Sequence, residues 1–69
     1  MNKEEVKLLE NTELIFYFLI SRDNLLNIKR QLQVNKNDDD LKTIFDEEQK
    51  NYNALLNEVY RRMRKWVKV

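Results

Sequence analysis

Apolar residues return every three or four positions along almost the whole chain. Leu14, Phe18, Ser21, Leu25, Ile28 and Leu32 form one series, and Leu41, Phe45, Glu48, Tyr52, Leu55, Val59, Arg62 and Trp66 form another. That spacing puts each series on one face of a helix. A second row runs beside each, Ile15, Leu19 and Leu26 in the first half and Leu56, Tyr60, Met63 and Val67 in the second. Two adjacent rows make the broad apolar stripe of a bundle helix, wider than a coiled-coil seam. No strand-like alternation lasts beyond a few residues, so the pattern predicts an all-α chain.

The two patterns part at Gln33-Val34-Asn35-Lys36-Asn37-Asp38-Asp39-Asp40. Asn and Asp side chains bond nearby backbone amides, which disfavours them inside a helix and suits them to its start. Asn37 or Asp38 is the expected N-cap of the second helix, with Asp39 and Asp40 answering the positive end of its dipole. Asn2 followed by Glu5 has the form of a capping box. The spacing predicts one helix over about 3–34 and another over about 39–68, each about 45 Å long at 1.5 Å per residue. A short loop makes them an antiparallel hairpin. One feature argues against a single first helix. Its seam, carried upstream, would meet Asn11, Lys7 and Glu4, so a break near Asn11 and a three-helix arrangement is the alternative.

Composition narrows the chemistry. The 69 residues contain no Gly, Pro, Cys or His. The length allows a single small helical domain over 1–69, whose core alone gives marginal stability. Disulfides and zinc cannot reinforce it, and association with another copy is the remaining route. Without Gly there is no phosphate-cradling loop, and without His or Cys there is no Ser-His-Asp triad and no thiol nucleophile. The longest apolar run, Leu14 to Ile20, is seven residues, against about 20 for a bilayer-spanning helix. No transmembrane segment and a cytoplasmic location are therefore expected.

Net charge is +1 but unevenly spread. Residues 35–48 carry two basic side chains against six acidic ones, and 49–69 carry six basic against one acidic. With the turn near 35–38, a residue i of the first helix lies roughly opposite 73 − i of the second. Glu48 then falls near Leu25, within reach of Arg22, and Arg62 near Asn11, between Glu10 and Glu13. Charges in a seam are costly unless paired, so both are expected to make cross-helix pairs that fix register.

The first helix has apolar residues left over. Leu9, Phe16 and Ile20, with Val6 and Tyr17 nearby, point away from the Leu14–Leu32 seam, and one partner helix cannot cover both faces. Two uses are expected of this surplus: the core of a homodimeric four-helix bundle, or a docking patch for a different protein, with Leu9, Phe16, Tyr17 and Ile20 as partner-binding residues.

Other motifs weigh less. Asn35, Asn37 and Asp39 with Asp46 at the twelfth position share the spacing of a calcium loop, but Asp40 stands where that loop needs Gly and Asp46 where it needs a bidentate Glu. Asp46, Glu47 and Glu48 offer carboxylates without a pocket to shift their proton affinity. No catalytic residue, metal ligand or cofactor is assigned, and the chain is expected not to be an enzyme. The basic end, Arg61, Arg64, Lys65 and Lys68 with Tyr60 and Trp66 interleaved, has the composition of a phosphate-contacting stripe or of a segment resting on anionic lipid. Nucleic acid is thus the alternative partner.

The stretch Leu55-Leu56-Asn57-Glu58-Val59-Tyr60-Arg61-Arg62 resembles segments of two families of small helical regulators from spore-forming bacteria. One is a family of aspartyl-phosphate phosphatases, the other a family of kinase inhibitors, similar also through Glu13-Leu14-Ile15. The phosphatases' Ser-Gln-Glu-Leu-Asp signature is absent: Gln49-Lys50-Asn51-Tyr52-Asn53 stands in its place, with Asn53 at the acidic position. No activity is carried over from either. The sequence therefore predicts a non-enzymatic regulatory or interaction protein, an inhibitor or adaptor, that self-associates and binds a larger protein through an apolar helix face. A dimeric helical nucleic-acid-binding regulator is the alternative.

Overall fold

A computed structural model describes residues 1–67; Lys68, the last predicted residue of the second helix, lies outside them. Three helices follow one another, α1 over Lys3–Lys7, α2 over Asn11–Val34 and α3 over Asp39–Trp66, with no strand among the described residues. The uninterrupted first helix over 3–34 is therefore corrected to the three-helix alternative. The break has a local cause. A continuous helix would carry Lys7 and Asn11 into the seam. Instead, the N–H groups of Leu8 and Leu9 bond Glu5 O and Val6 O at 3.1 and 3.2 Å, tightening and ending α1. Glu10 is extended, and its N–H donates to the Glu13 carboxylate at 3.1 Å as α2 begins. The detour turns Val6 and Leu9 inward.

Caps fall where short polar side chains stand. Asn2 Oδ1 accepts from Glu5 N–H at 2.9 Å, and Asp38 Oδ1 accepts from Leu41 N–H at 3.1 Å. Each satisfies an amide with no partner inside its own helix. Asp39 and Asp40 lie in the first turn of α3 and Arg64 and Lys65 in its last, as the helix dipole favours.

Helices α2 and α3 pack along the predicted seams. Leu14, Ser21 and Leu55 are buried, and Phe18, Leu25, Ile28, Leu32, Leu41, Phe45, Glu48, Tyr52, Val59 and Arg62 are half-buried. Phe18 and Tyr52 stack across the interface, their ring centroids 5.3 Å apart. Trp66, placed in the seam by its spacing, is exposed instead. The second rows differ more. Ile15, Leu19, Leu26, Tyr60, Met63 and Val67 are exposed, because each long helix has only one long neighbour and that neighbour covers one row.

Helix α1 packs against α3. It contributes Val6 to a core of Val6, Leu14 and Leu55, with Leu9, Phe18, Ala54 and Val59 around it. The molecule measures 47 × 22 × 16 Å and exposes 5530 Å². A compact monomer of 8.5 kDa exposes about 4,700 Å², so this chain carries an excess of about 800 Å².

Candidate functional site

Two polar clusters fix the hairpin's register. In the first, Arg62 is 11 % exposed and reaches across the end of the bundle. Its guanidinium donates to Asn11 Oδ1 at 3.0 Å, to Lys7 O at 3.3 Å, to Val6 O at 3.5 Å and to Glu58 Oε2 at 2.8 Å. The expected position beside Asn11 is observed. The expected acidic partners, Glu10 and Glu13, are replaced by Glu58 one turn back on α3. Glu58, 5 % exposed, also accepts both arms of the Arg61 fork, one at 2.9 Å. The hydrogen bonds from Arg61 lead the causes that hold its carboxyl down to about 2 from 4.5; burial opposes them, and the Arg62 bond adds to them. The same pairing raises the Arg61 guanidinium above its ordinary value. Sequence reasoning passed over Glu58, although its spacing of three and four from two arginines was the available signal.

In the second cluster, Ser21 Oγ donates to Glu48 Oε1 at 2.7 Å, and Asn51 Nδ2 lies 3.5 Å from Ser21 Oγ. Ser21, not Arg22, is thus the partner of Glu48. The short Ser side chain leaves room in the seam for the longer carboxylate. Arg22 lies 3.7 Å from Asp23 on the surface.

The predicted apolar site divides. Val6 is buried in the core and Leu9 is half-buried against it, so Leu9 stands apart from the surface patch expected of it. Phe16, Tyr17 and Ile20 remain exposed, Phe16 by 61 % and Ile20 by 40 %, with Phe16 set edge-on to Tyr17 at 5.9 Å between centroids. Residues 14–20 of α2 are apolar all round, a composition ordinarily met in a surrounded helix. Here α3 covers only the Leu14 and Phe18 side.

A second apolar surface spans both long helices. Ile15 and Leu19 each follow a seam residue by one position, as do Leu56, Tyr60 and Met63. In an antiparallel pair such positions share one broad side of the hairpin. Leu26 lies farther along that side, bordering a groove of about 200 Å³ with Leu25, Phe45 and Tyr52 and polar edges at Arg22, Lys29 and Gln49. Helix α1 occupies the opposite flank, beside Ala54, Glu58 and Arg61.

The residues of the basic end are differently placed. Arg61 is committed to Glu58, Arg64 and Lys65 are exposed, and Lys68 lies outside the described residues. Among the described residues no group of three or more carboxylates is placed to hold a metal ion. No described helix is long and apolar enough to cross a membrane.

What fold and surface define is a class of object: a small three-helix unit with two uncovered apolar faces. No family model, no curated protein and no solved structure matches the chain.

Proposed function

We propose that this protein is a non-enzymatic interaction protein that self-associates and binds a larger protein through the outer face of α2. The observation that carries the reading is the exposure of Phe16, Tyr17 and Ile20 on a segment apolar on every side. The anchors at positions 16 and 20 are one helical turn apart, the spacing with which a helix seats in an apolar groove. Aromatic anchors in such a groove contribute most of the binding energy.

The experiment uses the intact chain as bait in an extract of its native host, with a nuclease-treated control. Capture should survive high salt and nuclease and be lost in Phe16→Ala and Ile20→Asp, with helicity retained by circular dichroism. A folded Ile20→Asp variant that captures the same protein in full would end the reading. The alternative, a regulator of nucleic acid, has support in the exposed Arg64 and Lys65, but Arg61 is engaged by Glu58. Capture that vanishes with nuclease, falls steeply with salt and is lost when Arg64 and Lys65 are neutralised would favour it.

A further inference from the structure

We infer that the broad side of the hairpin bearing Leu19, Leu26, Leu56, Tyr60 and Met63 is the self-association surface, and that its occupant is a second copy of this chain lying antiparallel. The inference rests on the self-association half of the reading above and moves that role away from Phe16 and Ile20. Three observations carry it. The first is area. The excess of about 800 Å² over a compact monomer of this mass is what one partner gives up in a standard interface. The outer face of α2 alone is one helix wide, whereas this side has two helices and runs the length of a 47 Å molecule.

The second is an exposed aromatic anchor at one end of that side and a groove at the other. Tyr60, 55 % exposed, and Met63 stand near the α1 end. The groove beside Leu26 lies toward the turn. A two-fold axis midway between them sets Tyr60 of each copy over the groove of the other, making two identical contacts, as closed two-fold dimers do. The third is charge. The same antiparallel placement brings Arg64, at the edge of this side, beside the acidic turn region of the other copy, where Asp38, Asp39, Asp40 and Asp46 lie. A parallel placement would set like charges together.

Sedimentation equilibrium on the full chain tests the surface, and thiol pairing tests the orientation. The wild-type chain should be a dimer at micromolar concentration. Tyr60→Glu and Leu26→Glu, at opposite ends of the side, should each weaken dimerisation by about 100-fold, and Phe16→Glu should leave it unchanged. The native chain has no cysteine, so introduced thiols report cleanly. A mixture of Leu26→Cys and Tyr60→Cys chains should form a mixed disulfide faster than either variant links to itself, which decides the matter should a glutamate variant lose helicity. A monomeric wild-type chain would overturn self-association altogether, leaving partner capture through Phe16 and Ile20 to be judged by its own assay. A wild-type dimer that survives Tyr60→Glu but not Phe16→Glu would overturn this placement alone, and equal self-linking by either cysteine variant would overturn the antiparallel orientation.

Discussion

The two ends of the hairpin are built from the same kind of seam and reach different degrees of burial. At the α1 end, Val6, Leu14, Ser21, Leu55 and Glu58 are buried. From Arg22 through the turn to Ala54 no residue is, although Leu25, Ile28, Leu32, Leu41 and Phe45 keep the apolar spacing. The difference is the third element. Two helices touch along a line and leave the flanks of their shared row wet; a short segment laid against one flank dries it. Five residues of α1 achieve this with one buried side chain, Val6, and lend two backbone carbonyls to Arg62.

The largest test of that contrast is a pair of truncations. Leu55→Ala removes a fully buried side chain and should cost about 3 kcal/mol, a large part of the roughly 3–10 kcal/mol available to a chain this size. Leu32→Ala, at the half-buried turn end, should cost about 1 kcal/mol. Urea titration of both compares them directly, and equal losses would erase the distinction between the ends. Next comes Glu58→Gln, which leaves the guanidinium of Arg62 without its counter-charge in a nearly dry site and should cost about 2 kcal/mol. Amide exchange should then quicken first in α1, not at the turn.

A pH series addresses the same cluster without mutation. Glu58 is held at about 2 in the folded chain against 4.5 ordinarily, so its contribution to stability is present in full above 4.5 and is lost as pH falls toward 2. The midpoint of thermal unfolding should drop across that window in the wild type and drop less in Glu58→Gln. The smallest effect belongs to Arg22→Ala. Its partner Asp23 is a surface neighbour at 3.7 Å, and the change in urea stability should stay within about 0.5 kcal/mol.

Much of the fold was legible in the sequence because helical periodicity is local. The seams, the cap at Asp38 and the approach of Arg62 to Asn11 all follow from spacing and a short turn. The break before Asn11 was legible only as a conflict, Lys7 and Asn11 landing on a seam that continues from Leu14. What escaped depends on how many neighbours a helix finds. Spacing shows that Ile15, Leu19, Tyr60 and Met63 adjoin the seam; it does not show that no third long helix arrives to cover them. The same limit put Leu9 in the surface patch, since its inward turn follows from the path of the chain through Glu10. Glu48 found Ser21 rather than Arg22 because a long carboxylate fits best opposite a short hydroxyl, a matter of depth that spacing does not record.

The reach of Arg62 to the carbonyls of Val6 and Lys7 also ties the two ends of the chain together. A five-residue helix does not hold its shape in isolation, and the guanidinium that bonds two of its carbonyls stands more than fifty residues later in the chain. The first helix of the chain therefore depends on the far half of the last: α1 keeps its place only where α3 has folded back beside it.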